Sequence, residues 1–206
     1  MLNLDAIRSA PVAREPFPHF LVEHVLDSAA LARIRGDFPA ISSTGVYPVD
    51  ELTYGPAFET LIDEIRSSDL QDIISEKLQV PLDGRPLMIT VRGNCHRKDG
   101  KIHTDSEDKV VTCLLYLNDD AWVSETGRLR LLRSGTNLDD MIAEVPPNGG
   151  TLVVFKRTDN SWHGHHPFEG PRRYVMFNWL TSNVALTKNV GRHKLSARLK
   201  RLNPFA

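Results

Sequence analysis

Hydrophobic positions recur at helical spacing over the first 80 residues and at strand spacing beyond them. Phe58, Leu61, Ile62 and Ile65 follow the i, i+3, i+4, i+7 pattern of one helix face. Leu31, Ile34 and Phe38 share a face of an earlier helix, with Asp27 or Ser28 placed to cap it and Pro39 to stop it. Leu70, Ile73, Ile74 and Leu78 predict a further helix, opened by Ser68 and Gln71 as a capping box. The run Pro16-Phe17-Pro18-His19-Phe20-Leu21-Val22 reads as extended, because proline fixes its own φ and pushes the residue before it out of the helical region. Residues 45–55 read as a loop.

At Pro81 the pattern changes. Short strand-like runs now alternate with turn residues: 87–91, 109–118, 128–132, 141–145, 151–155 and 172–180, with a histidine-bearing segment at 161–167. The run from Lys109 to Asn118 is the strongest. Val110, Thr112, Leu114 and Tyr116 share one face, and Val111, Cys113, Leu115 and Leu117 the other, so burial on both sides is expected. About eight strands at this spacing predict a mainly β fold with N-terminal helices, a sandwich or barrel with a jelly roll as the leading member. The expected organisation of 1–206 is one domain: helical support over 1–80, a jelly-roll core over 81–181, and a basic tail over 182–206. In that tail Leu195, Leu199 and Leu202 predict a surface helix.

Composition narrows the picture. A chain of 206 residues with 41% apolar content builds one sizeable core. A formal net charge of -1 gives no global attraction to nucleic acid or anionic membranes, and neither is expected as a partner. With two cysteines, Cys95 and Cys113, no disulfide framework is expected, and a cytoplasmic location is the default. No apolar run approaches the roughly 20 residues of a membrane span, and Met1 to Pro11 does not read as a secretory signal.

The candidate chemistry begins at Lys101-Ile102-His103-Thr104-Asp105-Ser106. On an extended segment His103 and Asp105 point to the same side, so an imidazole and a carboxylate can grip adjacent positions of one ion. Trp162-His163-Gly164-His165-His166 offers a third ligand. His163 is the expected one, since it follows an aromatic, precedes a glycine and lies ten residues before Arg173; His165 and His166 are read as supporting or surface histidines. Two histidines and a carboxylate form the facial triad of non-haem Fe(II) oxygenases, although zinc also accepts such ligands.

Five pieces taken in order carry a resemblance: His103-Thr104-Asp105, Thr112 to Asn118, Gly150 to Phe155, Trp162-His163 and Arg172-Arg173-Tyr174. Together they resemble the Fe(II)- and 2-oxoglutarate-dependent dioxygenase superfamily, in its prolyl-4-hydroxylase-like branch, over roughly residues 85–181. The resemblance implies a double-stranded β-helix, a jelly roll supported by helices. It implies His103, Asp105 and His163 as iron ligands, and Fe(II) with 2-oxoglutarate as cofactor and co-substrate, with ascorbate as an optional reductant. Arg173 matches the residue that binds the distal carboxylate of 2-oxoglutarate, with Arg172 facing the opposite way. Tyr116 matches a tyrosine contacting the same co-substrate, and Thr112 and Leu114 are expected to line that cavity. One position departs from the branch: where an aromatic is frequent before the His-x-Asp stretch, this chain has Arg92 or Asn94. The implied activity is hydroxylation of an unidentified small molecule or protein side chain, with release of succinate and carbon dioxide. Related halogenases replace the carboxylate with a small residue, so Asp105 favours hydroxylation. The alternatives are a cupin-like metal enzyme without 2-oxoglutarate and a non-catalytic metal-binding jelly roll. Arg92, Arg97, Lys98, Trp122, Arg130 and Arg157 fall in or beside loops that could rim the cavity, and the basic ones hint at an anionic substrate.

Overall fold

In the computed structural model, residues 1–119 and 121–202 are described, with Lys194 and 196–202 described by their backbone only. The elements in order are α1 (Leu4–Ser9), β1 (His19–Val22), α2 (Ser28–Gly36), β2 (Tyr47–Pro48), a 3₁₀ turn (Val49–Glu51), α3 (Pro56–Ile65), α4 (Ser68–Leu78), β3 (Leu87–Cys95), β4 (Lys109–Tyr116), β5 (Leu129–Leu132), β6 (Met141–Val145), β7 (Leu152–Lys156), β8 (His163–Gly164), β9 (Gly170–Leu180) and α5 (Asn183–Leu202). The strands form a six-stranded sheet, ordered β1-β7-β4-β9-β3-β2, facing a three-stranded sheet, ordered β6-β5-β8. All the named strand pairings are antiparallel. This is the expected jelly roll.

The large sheet is covered on its outer face by the N-terminal helices. Val111, Cys113 and Leu115 of β4 and Val175, Phe177 and Trp179 of β9 join Leu31, Ile34, Phe58, Leu61, Ile65, Leu70 and Ile74 in one core. The inner face packs a second core toward the small sheet, with Leu114, Tyr116, Val153, Phe155 and Tyr174 against Leu129, Leu131 and Val145. Strand alternation therefore divides each central strand cleanly between two cores.

The helices start where side-chain oxygens meet unpaired N–H groups. Asp27 caps α2, accepting from Ala30 N at 2.7 Å. The cap of α4 is Ser67, which accepts from Leu70 N at 3.3 Å; Ser68 is already helical. The capping-box expectation thus shifts by one residue, and Gln71 instead accepts a hydrogen bond from Trp179 Nε1 at 3.2 Å, tying α4 to the sheet.

Two short elements escaped the pattern, α1 at the start and β2 inside the expected 45–55 loop. The predicted tail helix is present as α5, with Leu195 exposed; the side chains of Leu199 and Leu202, and residues 203–206, lie outside the described residues.

One register shift matters for the site. Between Lys109 and Val111 the pairing of β4 with β9 slips. Val110 then packs with the outer core rather than sharing the face of Thr112 and Leu114, and Lys109 is turned inward. Bulges re-aim side chains in this way near functional sites.

Candidate metal and co-substrate site

His103 and His163 come together because the segment bearing one pairs with the start of β8 bearing the other. Their backbones exchange two hydrogen bonds, His103 N to His163 O and His163 N to His103 O, each 3.0 Å. Close approach needs small residues nearby. Gly100 has φ +87°, and a Cβ there would lie 2.4 Å from the His165 ring; a Cβ on Gly164 would lie 2.7 Å from Gly100 O. Asp105 follows His103 by one residue and reaches the same point, so donor atoms of His103, Asp105 and His163 lie within 4.8 Å of one another.

The surroundings leave these three side chains ready for a cation. His103 Nδ1 is 2.8 Å from Lys101 O, and His163 Nδ1 is 2.9 Å from Ser161 O. A carbonyl only accepts, so both Nδ1 atoms carry the proton and both Nε2 atoms are free to ligate. Burial pushes His163 down to about 4, which keeps the imidazole neutral. Burial alone would raise the carboxyl of Asp105, but the Lys109 ammonium and the hydrogen bonds it receives hold it well below the usual range. Lys109 Nζ lies 2.7 Å from Asp105 Oδ1, and Thr112 Oγ1 donates to Oδ2 at 2.5 Å. Because Thr112 gives its proton to Asp105, its oxygen accepts from Asn178 Nδ2 at 2.8 Å. His165 and His166 are not in the ligand cluster. His165 lines the cavity wall with Nδ1 on His166 O, and His166 meets Arg130 and Asp139.

The cluster opens into a cavity of about 280 Å³, walled by Leu114, Leu129, Met176, Tyr174, Arg92 and Arg172 among others. Here the sequence expectation for the arginine pair is overturned. Arg173 lies on the opposite face of β9, its guanidinium 5.7 Å from the centre of the Phe38 ring and bordering an outer groove. Arg172 faces the metal ligands instead and is 3% exposed. The register explains the swap: Tyr116 pairs with Tyr174, Leu114 with Met176 and Thr112 with Asn178. Paired residues share a face, so the even-numbered positions of β9 look inward and Arg172 goes with them.

Arg172 donates from Nε to Gly127 O at 2.7 Å and from Nη2 to the Tyr116 hydroxyl at 3.0 Å. Among the described residues it has no carboxylate partner. Burial raises Tyr116 to about 12 despite the nearby guanidinium, so the phenol stays protonated. Thr112 lines the cavity beside the Asp105 carboxylate, and Tyr116, expected to contact the co-substrate, stands behind the cavity arginine. The open Arg92 or Asn94 position resolves to Arg92, whose guanidinium reaches Asp99 and borders the Tyr174 ring at 5.9 Å. Asn94 turns away, donating to Ile41 O and Ser42 O.

Two imidazoles with free Nε2 atoms, an ionised carboxylate and a buried arginine lacking an anion suit a divalent metal and a dicarboxylic acid. Residues 91–181, which contain all of these groups, match the model of the 2OG-Fe(II) oxygenase superfamily. Over that segment, a little under half of the chain, the sequence is similar to that superfamily. Fe(II) and 2-oxoglutarate are typical of that family, and His103, Asp105 and His163 are the candidate triad.

The fold is similar to that of several solved structures. A prolyl-4-hydroxylase of Pseudomonas putida shares 18% identity at a TM-score of 0.56, over 87% of this chain and 97% of that one. HygX from Streptomyces hygroscopicus, solved with nickel and 2-oxoglutarate bound, shares 13% identity at 0.54, over 80% of this chain and 83% of that one. A structure of prolyl 4-hydroxylases from Phytophthora capsici shares 18% at 0.50, over 80% of this chain and 59% of that one. No curated protein sequence matches this one significantly.

Proposed function

We propose that this oxygenase is a hydroxylase that couples oxidative decarboxylation of 2-oxoglutarate to oxygen insertion into a C–H bond of an organic substrate. Substrate, 2-oxoglutarate and O₂ then yield hydroxylated product, succinate and carbon dioxide. The observation that carries the reading is Arg172, a guanidinium 3% exposed, hydrogen-bonded to Tyr116 and facing the triad with no anionic partner among the described residues. A planar fork of donors suits the distal carboxylate of 2-oxoglutarate. A cupin-like enzyme working without that co-substrate has no use for a buried, unpaired arginine.

When bound, the iron supplies oxygen activation and leaves coordination positions for co-substrate and O₂. The chain supplies the rest. His103 and His163 present Nε2 atoms whose orientation the Lys101 and Ser161 carbonyls hold. Lys109 and Thr112 keep Asp105 ionised and fixed in rotation. Leu114, Leu129 and Met176 exclude water from the reacting atoms. Arg172 orients the co-substrate so that its keto acid end faces the triad.

The test is optical and chemical. Fe(II) and 2-oxoglutarate added without oxygen should give a weak visible charge-transfer band, and admitting oxygen should release succinate. Absence of both, beside a control oxygenase that shows both, would sink the reading.

A further inference from the structure

Lys109 is a buried ammonium with a single hydrogen bond. Its side chain is 9% exposed, and of its three N–H donors one serves Asp105 Oδ1; among the described residues the others have no partner. The slip of register that turns it inward places it on the cavity wall beside Asp105. A buried cation in that state calls for a further acceptor.

The charge balance of the cavity points the same way. Its described walls carry three cations, Arg92, Lys109 and Arg172, against two anions, Asp99 and Asp105. Loading adds two positive charges from the metal and two negative ones from 2-oxoglutarate, so one positive charge remains uncompensated. The charge of Arg92 is balanced by its ion pair with Asp99, although its Nε has no partner among the described residues. Arg172 is satisfied by the co-substrate under the proposed function, on which this inference rests. The remaining charge is that of Lys109.

We infer that the organic substrate is a small carboxylic acid, and that Lys109 holds its carboxylate beside the metal. A single excess charge matches a monocarboxylate rather than a phosphate dianion. A cavity of about 280 Å³ that must also hold 2-oxoglutarate leaves room for a small molecule. Leu114, Leu129, Met176 and Val46 supply an apolar wall for its carbon skeleton. Lys109 is thus a substrate-recognition residue that also orients Asp105.

The test uses the full chain loaded with Ni(II) and saturating 2-oxoglutarate. Butyrate and its near-isostere butyramide are the probes, and paramagnetic relaxation of their protons by the nickel is the readout. Butyrate should relax several-fold faster than butyramide, without being displaced by more 2-oxoglutarate. Lys109→Met should abolish the difference while 2-oxoglutarate still binds, and Lys109→Arg should restore it. Equal relaxation of the two probes, no relaxation of either, competition with 2-oxoglutarate, or undiminished butyrate relaxation in Lys109→Met overturns the inference. Loss of 2-oxoglutarate binding in Lys109→Met also overturns it, since Lys109 then serves the co-substrate. Failure of the wild type to bind 2-oxoglutarate with Ni(II) is visible before any probe is added and counts against the oxygenase reading itself.

Discussion

Arg172 and Arg173 are adjacent and chemically identical, yet they lie on opposite faces of β9. A one-residue difference on a strand is a change of face, so Arg172 enters the metal cavity and Arg173 lies over Phe38 on the helical side. Arg172→Gln should weaken 2-oxoglutarate binding by about 100-fold, the scale of a lost charged hydrogen-bonded pair, and spare the metal. Arg173→Gln should leave 2-oxoglutarate affinity unchanged. Titration of 2-oxoglutarate into the anaerobic Fe(II) protein, followed by its visible band, separates the two. The pair was legible in the sequence as a pair only. Residues 174–180 are apolar on both faces, so hydrophobic alternation did not say which arginine looks inward. The register with Tyr116 does. Lys109 was missed for a related reason: regular alternation places it with Val111 and Cys113 on the outer face, and only the bulge reverses it.

At the scale of elements, the site depends on two segments crossing almost in contact. Gly100 is held at φ +87°, and its carbonyl accepts from His165 N at 2.9 Å. A side chain there meets both the left-handed backbone penalty and His165. Gly100→Ala should therefore cost about 1–3 kcal/mol of stability and loosen the His103–His163 pairing; denaturant midpoints and metal titration measure the two effects. Strands were legible where both faces are apolar, as in β4 and β7, and α3 where its spacing is regular. α1 and β2 were not, because a six-residue helix and a two-residue strand carry too few positions to show a period. Ser67 and Ser68 both qualify as caps by residue type, and only the backbone geometry chose Ser67.

For the whole molecule, the buried site makes stability depend on pH and on metal. Asp105, His163 and His165 all have folded pKa values below their unfolded ones, the two histidines at about 4. Between about pH 6.5 and 4 the unfolded chain binds more protons at the histidines than the native one, so stability rises with pH across that window and falls on acidification; Asp105 extends the loss to lower pH. The metal-free protein should show a falling melting temperature as pH drops from 6.5 to 4, and His165→Asn should flatten part of that slope. Ni(II) with 2-oxoglutarate should raise the melting temperature in a concentration-dependent way, and a chelator should reverse it. A thermal-shift series across pH and ligand concentration reads both.

By itself the sequence determined the change from helices to strands at Pro81, the jelly-roll class and the three metal ligands. These rest on local periodicity and on ligand types whose spacing survives any detail of packing. Only the tertiary structure decided which of two neighbouring arginines enters the cavity, that Lys109 turns inward, and that Arg92 rather than Asn94 lines it. The arginine pair and Lys109 are choices between the two faces of a strand, while Arg92 and Asn94, two residues apart, are separated by the register shift between them; register is set against neighbouring strands, which no single segment contains.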